Sequence, residues 1–405
     1  MRPLQSSPFS PGASPLAGRT ILQIVPDLEA GGVERTTVDI AAALAAVGAR
    51  PLVATTGGRL VPELQAKGGI FIPFPAATKN PLAMLANVAR LKALCRAEGV
   101  DVLHARSRAP AWSALAAARG LRIPFVTTYH GAYAGRSAAK VLYNSVMARG
   151  DVVIANSHYT ADLIARNHPF ARDHVRVIHR GTDLRAFSPR AVEPARVERL
   201  RTEWGVDPDK RIVLLAARLT GWKGQTLLVE ATRRLVDRGH GDIAVVLAGD
   251  PQGREGFVRD LDALVAKLGL QHVVRRVGHC TDMPAAFLAA ALVAVPSTEP
   301  EAFGRSAVEA QAMGAPVVVA DHGAVPETVL APPQVHASGR TGWRVPPGDA
   351  AALADAMAAA LDMGASARDA LAVRARAHVE QHFSLDHMIA ETLDVYAALL
   401  AQEPG

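Results

Sequence analysis

The chain has 405 residues, 49% of them hydrophobic and 20% charged, enough apolar mass for two separate cores. Two cysteines, Cys95 and Cys280, stand far apart with no partner motif, which excludes a disulfide framework or a cysteine-based zinc site and suits a reducing cytoplasm. No apolar run approaches the ~18 residues that span a bilayer, so a membrane-crossing helix is excluded too. The charge is uneven: residues 1–190 hold 23 Lys+Arg against 11 Asp+Glu, net +12, and the remainder is net −6. A front half this basic points to an anionic partner, and acidic lipid or a phosphorylated glycan fits better than nucleic acid. The basic residues lack the interleaved aromatics of a base-stacking platform.

Residues 1–18 are rich in Pro, Ser and Gly without an apolar core of signal-peptide length, and are expected to form a disordered leader. From residue 19 short apolar runs alternate with helical patterns, the mark of a parallel-sheet α/β protein. Strands are predicted over Thr20–Val25, Pro51–Thr55, Ile70–Pro73, Asp101–His104, Pro124–Thr128, Asp151–Ala155 and Val175–Ile178. Helices are predicted over Val33–Val47, Pro81–Glu98 and Pro110–Arg119. The pattern loses its strands around Phe187–Pro208, where Pro and charge accumulate as in an interdomain connection. A second series follows, with strands over Arg211–Ala217, Asp242–Ala248, Val273–Val277, Leu292–Val295, Pro316–Val319 and Gly342–Val345. Its helices are Gln225–Arg238, Arg254–Leu268, Gly304–Met313 and Asp349–Asp362. The expected domains are 19–188 and 211–383, joined by a connector over 189–210. Residues 384–405 contain a terminal helix, Leu385–Ala401, predicted to pack back onto the first domain. The simplest architecture is two Rossmann-like, doubly wound α/β domains facing each other across a cleft.

Chemistry is concentrated at the predicted carboxyl ends of strands, where open α/β sheets hold ligands. The stretch Glu301-Ala-Phe-Gly-Arg-Ser-Ala-Val-Glu309 follows a buried strand and turns into a helix. Helix-start amides and dipole favour an anion, and the flanking carboxylates can accept sugar hydroxyls. Such a site suits a ligand that is part phosphate and part sugar. Arg218 ends the first strand of the second series and Lys223 follows, two cations able to neutralise a departing diphosphate. In the first series, Gly31-Gly32 opens a helix after a strand, permitting close backbone approach, though the third glycine of the dinucleotide fingerprint is missing. His130 follows another strand and could orient a hydroxyl; His104 is a weaker candidate of the same kind. Arg106 and Arg108 belong to the basic cluster. Asp207-Pro-Asp209 resembles an Asp-x-Asp metal motif but precedes a strand, so no metal ligand is assigned.

Together Gly31-Gly32-Val-Glu-Arg35, Thr128-Tyr-His130-Gly131, Arg218 with Lys223-Gly224, Gly249-Asp250, Glu301 through Glu309 and Thr341-Gly-Trp-Arg-Val-Pro-Pro-Gly348 resemble the family 4 glycosyltransferases of the GT-B fold. The resemblance covers about residues 20–400 and implies a retaining enzyme that uses a nucleotide-diphosphate sugar. It implies that Glu309 binds ribose hydroxyls and Glu301 those of the transferred sugar. Amides at Phe303, Gly304 and Arg305 would contact sugar or phosphates, with Gly249 also on the donor side. Arg218 and Lys223 would hold the diphosphate, while His130 and Gly31-Gly32 close from the first domain. No cofactor or catalytic metal is expected, and the leaving phosphate would help deprotonate the acceptor.

A narrower likeness, through His104-Ala-Arg-Ser-Arg-Ala-Pro-Ala-Trp112 and Tyr129-His-Gly-Ala-Tyr133, is to alphaproteobacterial lipopolysaccharide core glycosyltransferases. It implies hexosyl transfer, with mannosyl transfer to Kdo-lipid A as the finest expectation. Arg106 and Arg108 would be acceptor contacts. The enzyme would be cytoplasmic, touching the inner face of the cytoplasmic membrane. Two alternatives stay open on the residues alone: a nucleotide-sugar epimerase of the same fold, and a nucleotide-binding protein with a vestigial site.

Overall fold

The computed structural model describes residues 14–29, 31–131 and 137–402. It contains two compact units, one of residues up to His179 together with those from Asp386, the other Arg180–Leu385.

In the first unit seven parallel strands lie in the order β3-β2-β1-β4-β5-β6-β7. They are β1 (Thr20–Ile24), β2 (Arg50–Thr55), β3 (Ile70–Pro73), β4 (Val102–Ala105), β5 (Phe125–Tyr129), β6 (Val152–Ala155) and β7 (Val175–Val177). All five residues of β1 are buried, as expected of a strand covered on both faces. Its helices are α1 (Gly32–Ala46), α2 (Val61–Ala66), α3 (Pro81–Glu98), α4 (Arg108–Leu121), α5 (Ala138–Asn144) and α6 (His158–Asn167). Val38, Ala41 and Leu64 of α1 and α2 pack with Val25 and Val53 on one face. Leu91, Ala114 and Ile164 of α3, α4 and α6 pack with Leu22, Leu52 and Leu103 on the other. The bounds of α3 are set locally. The Asn80 side chain accepts from the Leu82 and Ala83 amides, Pro81 presets the first turn, and Gly99 ends the helix at φ +61°.

The second unit holds six parallel strands in the order β10-β9-β8-β11-β12-β13. They are β8 (Arg211–Ala216), β9 (Ile243–Ala248), β10 (Val274–Gly278), β11 (Ala290–Val295), β12 (Val317–Ala320) and β13 (Trp343–Val345). Its helices begin with α7 (Pro194–Glu203), α8 (Gln225–Asp237), α9 (Glu255–Lys267) and α10 (Met283–Ala289). They continue with α11 (Arg305–Ala312), α12 (Val325–Thr328), α13 (Ala350–Leu361) and α14 (Ala365–His382). Leu228, Leu261 and Met357 of α8, α9 and α13 cover one face. Leu200, Phe287 and Ala310 of α7, α10 and α11 cover the other. In both sheets the strand order reverses once, at β1/β4 and at β8/β11.

Three boundaries differ from the sequence expectation. The leader does not extend to residue 18, because Leu16 is 1% exposed and the Gly18 amide donates to the Gly48 carbonyl at 2.8 Å; residues 1–13 lie outside the described residues. The connector expected over 189–210 is part of the second unit's core. Arg196 of α7 forks onto Asp282 at 2.7 and 2.9 Å, and Trp204 is buried. Residues 180–188 also join that unit, where Thr182 exchanges backbone hydrogen bonds with Phe383 and Leu385.

The last helix, α15 (Leu385–Ala401), returns to the first unit from Asp386 onward. Its Tyr396 hydroxyl meets His104 Nδ1 at 2.6 Å, and His104 Nε2 meets Thr128 Oγ1 at 2.7 Å. A hydroxyl on each side can donate or accept, so a neutral imidazole is satisfied in either tautomer. Burial, reinforced by the nearby Arg106 charge, holds the His104 pKa well below its ordinary value. Burial pushes the Tyr396 hydroxyl up to about 12. His104 is thus an internal tie between β4, β5 and α15, not the reactive group its position after a strand had offered. Tyr396→Phe strands one imidazole nitrogen in the interior, and should lower stability by about 1–3 kcal/mol in urea unfolding followed by circular dichroism.

Candidate functional site

At the switch point of the second sheet, the loops that leave β8, β9, β11 and β12 are pressed together by backbone contacts that only glycine permits. A Cβ on Gly249 would stand 1.8 Å from the Ala217 carbonyl oxygen. The two loops join through Ala217 N to Ala248 O at 3.0 Å and Leu219 N to Asp250 O at 3.1 Å. Gly224 has φ +77°, and a Cβ there would stand 2.0 Å from the Pro296 oxygen at the end of β11. Gly323 has φ +66° and abuts the Glu301 backbone, whose carbonyl accepts from the Ala324 amide at 2.8 Å.

This packing brings Lys223 and Glu301 together. Lys223 Nζ lies 2.5 Å from Glu301 Oε1 and 4.1 Å from the centroid of the Trp222 ring. The same carboxylate oxygen accepts from Ser297 Oγ at 2.6 Å, and His322 Nε2 donates to the Ser297 carbonyl at 2.8 Å. Arg218 is exposed on the neighbouring loop. Its guanidinium reaches Gln252 Oε1 at 3.5 Å, and its carbonyl accepts from Gln225 Nε2 at 2.9 Å.

Helix α11 starts at Arg305, capped by Gly304 at φ +83°. Ser306 Oγ bonds the Ala216 carbonyl at 2.9 Å, which fixes the helix start beside the end of β8. The Phe303 side chain turns into the core and meets Phe383 edge to face at 5.5 Å. Glu309 is buried one turn further on and pairs with Arg305 Nε at 2.9 Å. Burial raises its carboxyl pKa, partly offset by Arg305. A buried carboxylate with a single cation beside it is held at a cost in stability.

In the first unit, Gly31 caps α1 after β1, and the Glu34 carboxylate folds over it. His130 follows β5, and its carbonyl accepts from Asn156 Nδ2 at 3.4 Å. Arg106, expected as an acceptor contact, is instead an interior residue: it is 2% exposed, beside the Tyr396 hydroxyl, and donates from Nε to Gln23 Oε1 at 2.8 Å. Arg108 is partly exposed and reaches Asn144 Oδ1 at 2.8 Å. Tyr133 and Arg136 lie outside the described residues. Asp207 and Asp209 precede the amino end of β8, opposite the Arg218 end, where the Asp207 carbonyl accepts from Arg201. Ser297, Ser306, His322 and Gly323 escaped the sequence reading. A serine closing an apolar run and His-Gly after β12 were the only signals they offered.

Two doubly wound units, one with clustered cations and carboxylates at its switch point, define a glycosyltransferase of the GT-B type. The pattern of Glycosyltransferase Family 4 matches residues 30–186, and that of Glycosyl transferases group 1 matches residues 196–378. A D-inositol 3-phosphate glycosyltransferase of Xylanimonas cellulosilytica is 31% identical over 93% of this chain and 94% of its own length. A glycosyltransferase of Rickettsia africae superposes with a TM-score of 0.86 at 32% identity, covering 95% of this chain and all of the other. Anabaena Alr3699/HepE, solved with UDP and glucose, gives a TM-score of 0.81 at 25% identity over 94% of this chain and all of its own. The chain belongs to glycosyltransferase family 4.

Glu309→Gln removes a carboxylate whose pKa is raised on folding. A raised folded-state pKa contributes stability that is present below the ordinary value of 4.5 and lost as pH rises through the raised one. The variant should therefore gain stability over the parent as pH rises above that value, read by thermal melts across pH, while losing nucleotide affinity in calorimetry.

Proposed function

We propose that the protein moves a hexosyl group from a nucleotide-diphosphate sugar to an anionic glycan or glycolipid acceptor, with retention at the anomeric carbon. The observation that carries this reading is the Lys223–Glu301 pair at 2.5 Å, oriented by Ser297, on the sheet edge that also bears Arg218 and buried Glu309. Cations there neutralise the diphosphate as the bond from sugar C1 to phosphate oxygen breaks. Glu301 accepts hydroxyls of the transferred sugar and Glu309 those of the ribose. Amides at the start of α11 meet the phosphate or sugar. A new bond forms from C1 to the acceptor oxygen, whose proton passes to the departing phosphate on the same face. No side-chain nucleophile or metal is required, and chelation with EDTA should leave turnover unchanged. Arg108 is the acceptor contact kept in this reading.

Two acceptor readings follow from different observations. The basic first unit favours a lipopolysaccharide core acceptor, such as mannosyl transfer to Kdo-lipid A, with the enzyme on the inner membrane face. The name of the Xylanimonas relative favours an inositol phosphate. Both acceptors are anionic. Nucleotide release from UDP-glucose, UDP-N-acetylglucosamine and GDP-mannose, measured with each acceptor and with none, separates them. Release dependent on one acceptor identifies it, and the anomeric configuration of the product tests retention. Interconversion of the donor sugar without acceptor would overturn transfer in favour of epimerisation. Lys223→Ala should lower kcat about 10²–10³-fold, because a cation positioned for the departing charge acts mostly in the transition state.

A further inference from the structure

Three of the most exposed large apolar side chains of the described residues lie on neighbouring helices of the first unit: Leu82 (77% exposed), Leu85 (68%) and Leu142 (60%). They flank one stretch of α4. Ser113 Oγ of α4 bonds the Met84 carbonyl at 2.8 Å, and Trp112 Nε1 bonds the Tyr143 carbonyl at 3.2 Å. Leu85 therefore follows one contact and Leu142 precedes the other, with the partly buried Trp112 between them. Its ring presents an apolar body with the N–H already satisfied, the amphipathic form favoured where apolar and wet phases meet.

The charge around this patch is of one sign. Residues 70–150 contain eleven Lys+Arg, of which Arg106 is interior and Arg119 is paired with Asp151, and two acids, Glu98 and Asp101. Both acids sit at the far end of the unit and are already neutralised, by Arg50 at 2.5 Å and Arg19 at 3.0 Å. Along α3, Glu98 is about 24 Å from Leu82 at 1.5 Å per residue. Lys79, Arg90 and Lys140, beside the leucines, form no ion pair among the described residues. Exposed leucines on two helices beside α4, with cations that form no ion pair, are complementary to the surface of an anionic lipid bilayer, with leucines reaching the acyl boundary and cationic groups among headgroup phosphates.

We infer that this face, Leu82, Leu85, Trp112 and Leu142 with Lys79, Arg90 and Lys140, docks the protein onto an anionic membrane surface. The face lies at the end of the unit where the first turns of α3 and α4 follow the carboxyl ends of β3 and β4, so docking would bring that end to a lipid-borne acceptor. This deepens the reading of a glycolipid acceptor, but its test reads lipid binding and is separate from any transfer assay.

The test is flotation of the full chain with vesicles of phosphatidylcholine, with and without 40% phosphatidylglycerol. Binding should require the anionic lipid and weaken as salt rises. Leu82→Ser with Leu85→Ser, and separately Lys79→Glu with Lys140→Glu, should each lower the bound fraction on the order of tenfold or more. Val373→Ser, which changes a 71% exposed residue of α14 in the other unit, should leave binding unchanged. Circular dichroism melts of each variant establish that it is folded. Absence of binding to anionic vesicles at low salt would overturn the inference, as would equal binding by folded variants. A dimer of the parent chain in sedimentation velocity that the leucine variant abolishes would assign the face to a second copy instead.

Discussion

The pair of Lys223 and Glu301 is the contact on which the geometry of the second unit's site depends. Two charges taken out of water are costly unless their remaining valences are met. Here the carboxylate oxygen that faces the ammonium also accepts from Ser297, and the ammonium lies against the Trp222 ring. The loops after β8 and β11 are thereby locked to each other. His322 from the loop after β12 braces Ser297 from behind. A cation and an acid held this firmly are fixed in place by the fold itself.

That lock needs close backbone approach, and the approach explains three glycines better than ligand contact does. Gly224, Gly249 and Gly323 each stand where a Cβ would strike a neighbouring carbonyl oxygen. The two glutamates that frame α11 then part company chemically. Glu301 is charge-paired and hydrogen-bonded, whereas Glu309 is sunk below the helix surface with Arg305 as its cation and an elevated pKa. Two carboxylates eight positions apart thus have unlike surroundings.

The positive excess of the first unit sorts into three physical populations. Arg106 is interior, an element of the polar seam through Gln23, His104, Thr128 and Tyr396 that fastens α15 to the sheet. Arg19, Arg50 and Arg119 are spent on acids at the amino ends of the strands. Lys79, Arg90 and Lys140 have no such acid near them and lie beside exposed leucines. Net charge alone could not separate these groups, since a buried guanidinium and a surface ammonium count the same.

Much was written in the chain itself. Burial on both faces gave the central strands continuous apolar runs, so the strands could be read from local pattern, and cations or carboxylates following strand ends marked Arg218, Lys223, Glu301 and Glu309. The helix α14 was not legible: its buried residues, Leu371, Ala375 and Val379, form a thin stripe among Arg, His and Ala that carries little periodic signal. Nor was the burial of Arg106, because an arginine after a strand looks the same whether it faces solvent or Gln23. Pairings such as Lys223 with Glu301, 78 positions apart, and His104 with Tyr396, 292 apart, were also decided only on folding. Local composition fixes which stretches become strands and helices, since that choice depends on neighbours in sequence. Which side chains meet depends on the strand order that lays distant loops along one sheet edge, and no local pattern encodes that order.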